Sequence, residues 1–290
     1  MRVERFIQTW GTVIVVDAAA PHVNEDSLNA AIDKVALFFH HVDDVFSTYK
    51  ESSQVSQLRA GSLALEDAHE DLRHVWQLCV EAKELTLGAF DPWAAIGGFD
   101  PSGIVKGWAA HCAADMLVAD GVVHVLINAA GDLVLRGGDL GDDGIVRPWP
   151  VGISDPDEVD QIVKSFAVTD GAVATSGDYE RGEHIRDPRN GMAALGAKSV
   201  SVVGPDGGLA DALATAVMVD GIDGEIDAHL SKWYGDKGYW NGRIAAMRSF
   251  INGRRQNVRN HIISEFGLSG TYSLNLNVTG NGELRLNTLE

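Results

Sequence analysis

The sequence predicts a mixed α/β fold, of the α+β kind in which short strands and packed helices share a core. Three observations carry that expectation. Apolar residues recur at helical spacing in three separate stretches, runs rich in β-branched residues lie between and after them, and glycine, 32 of 290 residues, collects in the turns. Apolar residues make up 45% and charged residues 22% of the chain, the composition of a folded domain and not of a disordered or fibrous one. The length fits one large domain or two modest ones.

The elements follow in order. Residues 6–17 read as extended chain rich in Val and Ile. Leu28, Ile32, Val35, Phe39, Val42 and Phe46 then form one stripe of an amphipathic helix, with Ser27 as the expected N-cap. Leu72, Val75, Cys79 and Ala82 repeat the period, as do Ile104, Val105, Trp108, Cys112 and Met116. Candidate strands span 122–127, 132–135, 145–153, 166–169, 172–175 and 199–203. At about residue 220 the composition shifts, from a net charge of -19 before it to +1 after it. The later part reads as two helices and a hairpin, in which Leu274, Leu276 and Val278 alternate with polar residues, Gly280-Asn281-Gly282 turns, and Leu284 and Leu286 alternate on the return.

A net charge of -18 argues against nucleic acid as a main partner, because the chain as a whole repels phosphate polymers. Two cysteines, Cys79 and Cys112, lie inside helical patterns and in no metal-ligand spacing, which excludes a disulfide framework and a structural zinc built on thiolates. No apolar run approaches the roughly 20 residues that span a bilayer, and residues 1–17 lack a secretory apolar core. The expected location is the cytoplasm.

Three segments depart from core-and-turn logic. In the first, Gly88 to Pro92 is followed closely by Asp100-Pro101-Ser102-Gly103-Ile104-Val105-Lys106-Gly107. Pro101 followed by Ser102 marks a helix start, whose free N–H groups favour an anion, and Lys106 adds a cation on the same first turns; a solvated helix end with a surface lysine is the alternative. In the second, Thr175 to Arg181 and His184 to Gly191 pack hydroxyls, arginines and an imidazole into a turn-rich stretch of the kind that carries binding and proton transfer. In the third, Asp211 and Thr215 stand four apart, so on a helix a carboxylate and a hydroxyl share a face and can point at one hard cation, Mg2+ rather than zinc. The competing assignment makes Asp211 an N-terminal cap and Thr215 an ordinary helix residue bonding back one turn.

In this order, the segments resemble the ApbE family, the FAD:protein FMN transferases. The resemblance runs through Trp10-Gly11-Thr12, Phe46 to Lys50, Gly88 to Pro92, Pro101 to Ala110, Asn128-Ala129-Ala130-Gly131-Asp132, Trp149 to Ile153, Ser176 to Arg181, His184 to Pro188 and Asp211 to Thr215, over some 210 residues. It implies an ApbE-like fold of antiparallel strands and packed helices over residues 1–220. It also implies a reaction in which FAD is split at its pyrophosphate, FMN is joined to a threonine hydroxyl of a target protein, and AMP leaves.

Carried over by position, Asp211 and Thr215 hold Mg2+ with the Gly103 carbonyl. Ala89, Phe90, Asp91 and Asp100 line the flavin nucleotide, with Lys106 near its phosphates or ribose. Trp10 and Tyr49 wall the rings, and His184 with Ile185 closes the pocket at the reacting phosphate. Either His184 or Asp178 is the candidate base for the incoming threonine. FAD and a flavin-accepting protein are the implied partners. Hydrolysis of FAD to FMN and AMP, or flavin binding without turnover, remain as alternatives.

The chain departs from the family pattern at Trp10, where methionine is usual, at Ala130, where a second glycine is usual, and at Glu183, where many members have histidine. Residues 221–290 instead resemble the end of CotH-like spore-coat proteins, through Glu225 to Trp233, Met247 to Phe250 and Phe266 to Thr271.

Overall fold

The computed structural model describes residues 1–158, 160–177, 185–194 and 197–220. The chain divides between Met1–Trp233 and Tyr234–Glu290, and every described residue lies in the first unit. The expected hairpin and CotH-like segments of 221–290 therefore fall outside the described residues, as do Asp178, Glu183 and His184.

The centre is a six-stranded antiparallel sheet built from β1 (Arg2–Thr9), β2 (Thr12–Ala19), β3 (His124–Ala129), β4 (Asp132–Arg136), β9 (Gly171–Gly177) and β10 (Ser199–Gly204), in that spatial order. Two short ribbons stand outside it: β5 (Asp139–Leu140) with β6 (Val146–Arg147), and β7 (Trp149–Ser154) with β8 (Ile162–Val168). The helices are α1 (Glu25–Phe46), α2 (Gln54–Arg59), α3 (Glu70–Leu85), α4 (Ser102–Ala119) and α5 (Gly207–Asp220).

Several local expectations need correction. The extended run 6–17 is two strands, folded back at Trp10 and Gly11, where both residues take positive φ (56° and 69°). That pair of left-handed residues is a hairpin turn whose twist matches the strands, but Trp10 carries none of the usual turn chemistry. The turn from β3 to β4 is the same device at Ala130 and Gly131, with φ of 55° and 98°, and Asn128 Oδ1 accepts the Gly131 N–H at 2.9 Å. Helix α1 begins three residues early: Asn24 is the cap, and its side chain accepts from the backbone N–H of Ser27. The run 145–153 is broken at Pro148 into strands of two different ribbons, because proline has no N–H for a ladder.

Helix α1 buries the stripe from Leu28 to Phe46 that its sequence period marks, and turns its polar face outward. Helix α4 is different. Ile104, Val105, Gly107, Trp108, Ala109, Ala110, Ala113, Ala114 and Leu117 are all buried, which covers its circumference and makes it a central helix, between α1 and the sheet on one hand and α5 on the other. Both cysteines are free, Cys79 in α3 and Cys112 in α4. No helix among the described residues is long and apolar enough to cross a membrane.

Candidate active site

The site grows out of the seam between α4 and α5. A Cβ added at Gly107 would lie 2.1 Å from the carbonyl oxygen of Gly207, and one at Gly207 would lie 2.4 Å from that of Gly107. Only glycine at both places lets the two backbones approach so closely. His111 Nδ1 accepts the Gly207 N–H at 3.3 Å, Lys106 meets Asp211, and a Cβ on Gly103 would stand 3.5 Å from Thr215 Oγ1. The helices therefore run antiparallel, and Gly103, Lys106, Asp211 and Thr215 gather along one line of contact.

At the middle of that line Lys106 Nζ donates to Asp132 Oδ2 and to both oxygens of Asp211, at 3.2 and 3.1 Å. Each aspartate is only 2% exposed, so two carboxylates share one ammonium away from water. Asp132 sits just past the β3–β4 turn and also accepts the Thr175 N–H at 3.1 Å, which ties the cluster to β9. Burial and the neighbouring Asp132 charge push the Asp211 carboxyl up to about 7, against the pull of Lys106 and the Gly107 N–H. Burial works against the Lys106 charge, but the carboxylates of Asp211 and Asp132 outweigh it and raise its pKa. With both acids ionised, the single ammonium leaves the cluster one positive charge short. One turn along α5, Thr215 Oγ1 shares a hydrogen bond with Ser176 Oγ at 3.2 Å.

Asp211 is the fifth residue of α5 and not its cap, and Asp206 Oδ1 accepts the Leu209 N–H instead. The α4 N-terminus is likewise not open to a free anion at Ser102, whose N–H already donates to Asp100 Oδ1 at 3.0 Å. Asp100 also pairs with Arg59 at 3.3 Å. Phe90 is buried with its ring edge against Gly103, where a Cβ would stand 3.0 Å from Cε2, and the adjacent Ala89 is buried too. Asp91 pairs with Lys83 at 2.7 Å and caps the short turn Pro92–Ala94 through the Trp93 N–H.

The remaining expected residues are spread out. Trp10 donates its indole N–H to the Phe39 carbonyl at 3.2 Å and packs edge-on against Phe39, so its ring is held by α1. Tyr49 is 95% exposed. Ile185 is buried in a small cluster with Ala194 and Met218. Lys106, which the resemblance puts near the phosphates or ribose of the nucleotide, lies between two acids. Asp132 and Ser176, which belong to recognised motifs, were given no role in the site by sequence reasoning; the glycine-led turn before one and the hydroxyl beside Gly177 in the other were the available signals.

Residues 97–231, which contain this whole cluster, match the model of the ApbE family. Proteins named FAD:protein FMN transferase are similar over part of their length. The one from Rhodobacter capsulatus is 39% identical over 131 residues, covering 42% of this chain and 24% of that protein. The one from Vibrio cholerae is 36% identical over 133 residues, 42% of this chain and 38% of that protein. The one from Treponema pallidum is 34% identical over 164 residues, 52% and 41%. These alignments thus span between a quarter and two-fifths of the curated relatives' length.

Solved structures extend the likeness to most of the chain. The flavin transferase ApbE of Vibrio cholerae superposes with a TM-score of 0.67 at 24% identity, over 80% of this chain and 91% of that one. The ApbE protein of Thermotoga maritima gives 0.68 at 23%, with the same coverage. The fold is therefore that of the ApbE proteins.

Proposed function

We propose that this chain is an FAD:protein FMN transferase that moves FMN from FAD to a threonine hydroxyl of a target protein and releases AMP. The names of the curated relatives support the reading. The observation that carries it is the buried α4–α5 cluster, which lacks one positive charge once Asp211 is ionised and lies beside further oxygen donors.

That donor set suits Mg2+. The Asp211 carboxylate, the Thr215 hydroxyl and the Gly103 carbonyl are hard oxygen ligands, the class magnesium takes in preference to imidazole or thiolate. When bound, the ion supplies neutralisation of charge on the phosphates. Lys106 bridges the two aspartates and draws Asp211 towards its ionised form, and Asp132 anchors Lys106 to β9. Ser176 orients the Thr215 hydroxyl. Ala89, Phe90, Asp91 and Asp100 line the nucleotide, Trp10 and Tyr49 flank the rings, and Ile185 closes the far side. In the transfer the bond between the two phosphates breaks, a phosphoester forms to the threonine oxygen, and AMP carries off the leaving oxygen. His184 or Asp178 takes the threonine proton.

The catalytic domain under this proposal is residues 1–220, the boundary falling at or a little beyond that point, with 221–290 a separate tail. The cytoplasm is its proposed location, and the net charge of -18 speaks for a protein acceptor over nucleic acid.

The test is incubation with FAD, Mg2+ and a flavinylation-competent acceptor, followed by fluorescence of a denaturing gel and separation of nucleotides. A fluorescent acceptor band with AMP release, both lost in Asp211→Ala, is the expected result. AMP release without acceptor points to hydrolysis instead, and FAD binding with no product to a non-catalytic flavin binder.

A further inference from the structure

Away from the α4–α5 seam, His41 near the end of α1, His69 at the cap of α3 and Asp71 in that helix's first turn bring two imidazoles to one carboxylate. His41 Nε2 lies 3.0 Å and His69 Nδ1 lies 3.3 Å from the same oxygen, Asp71 Oδ2. The two rings meet edge-on with centroids 4.5 Å apart. Among the described residues this is the trio whose ligand atoms all fall within 4.8 Å of one another. Around a tetrahedral ion with bonds of about 2.0–2.2 Å, neighbouring ligand atoms stand about 3.4 Å apart, close to the two separations seen.

The backbone pre-sets this arrangement. The His69 N–H donates to Gln54 Oε1 at 2.7 Å, and the Asp71 N–H donates to His69 Nδ1 at 3.2 Å. The second bond uses the Nδ1 lone pair. A ring nitrogen has one such pair, so an ion bound at Nδ1 replaces this N–H contact and takes Asp71 Oδ2, 3.3 Å from Nδ1, as its neighbouring ligand.

We propose that His41, His69 and Asp71 form a site for a divalent ion of the zinc class, joining the end of α1 to the start of α3 and leaving a fourth position for water. Two imidazoles and one carboxylate favour such an ion over Mg2+, so the site differs in chemistry from the oxygen set on α4 and α5. The three side chains are 37%, 38% and 25% exposed, so an ion reaches them without opening the core. Its expected effect is to clamp the end of α1 to the start of α3.

The test is titration of the full chain with Co2+ in excess Mg2+, read from the visible absorption of tetrahedral cobalt, then displacement by Zn2+. One equivalent should give a saturable band that Zn2+ removes, and Zn2+ should raise the Tm of the wild type. His41→Ala and His69→Asn should each weaken Co2+ binding at least tenfold and abolish the Tm rise. Asn at 69 keeps a capping side chain, so α3 retains its start; should His41→Ala not fold, His41→Gln and His69→Asn carry the comparison. Absence of a saturable band would overturn the site. A band that survives undiminished in the folded variants would overturn it equally, since the ion then sits on other residues.

Discussion

Lys50 and Lys106 each stand between two aspartates, one pair at the surface and one inside. Lys50 reaches Asp43 and Asp44 at 2.7 Å, with Asp44 and Lys50 largely in water. There the hydrogen bond from Lys50, followed by its charge, lowers the Asp44 carboxyl, the ordinary response of an acid beside a base. Around Lys106 the aspartates are almost wholly buried, and Asp211 moves the other way, up to about 7, because desolvation and Asp132 outweigh the ammonium. The same trio of one lysine and two aspartates thus makes a minor surface contact in one place and a charge-deficient centre in the other. Depth decides, since water screens the first set and not the second.

The sharpest way to break the comparison is to remove each lysine. Lys106→Met strands two buried carboxylates and should cost about 3 kcal/mol in urea unfolding without divalent ions, the low end for breaking a buried pair because the Lys106 side chain is partly exposed. Lys50→Met should cost less than about 1 kcal/mol in the same assay, the usual worth of an exposed pair. Equal losses would erase the distinction between the two sites.

A slightly smaller effect is expected where the seam itself is disturbed. Gly107→Ala puts a methyl group against the Gly207 carbonyl and should destabilise by about 2 kcal/mol, the range of an overpacked core, with loss of Mg2+ binding. An unchanged Tm and unchanged Mg2+ affinity would mean that the helices do not meet on these glycines.

Protonation sharpens the contrast further. A carboxylate must be ionised to hold a cation, and Asp211 titrates near 7, so Mg2+ affinity measured by calorimetry should fall about tenfold from pH 8 to pH 6. For the ion-free protein the sign is also fixed. The folded pKa lies above the ordinary carboxylate value, so this group favours folding at low pH, and that contribution is lost as pH rises towards 7.

Much of the architecture was legible in the sequence because it is periodic. The stripe from Leu28 to Phe46 marks α1, and Asp132 to Leu135 and Ser199 to Val203 mark strands, since one buried face imposes a regular pattern. The first hairpin escaped because Trp10-Gly11 turns without Asn, Asp or Pro. Asn24 and Ser27 are both good caps, and only the hydrogen bond between them separates the two. At the site, the helical spacing of Asp211 and Thr215 predicted a shared face, and both lie on the α4 side of α5. What spacing cannot express is contact between distant segments. The meaning of Gly107 depends on Gly207 one hundred residues later, and the role of Asp132 depends on a lysine from another element.

The most direct measurement is calorimetric titration of Mg2+ at pH 8 into the wild type and into Asp211→Ala, a variant that leaves Lys106 and Asp132 as a balanced pair. The account predicts one saturable site in the wild type and its loss in the variant, while unfolding by urea stays cooperative. Retention of that site at full affinity in a folded Asp211→Ala would contradict the claim that the α4–α5 seam is where the cation, and with it the chemistry, resides.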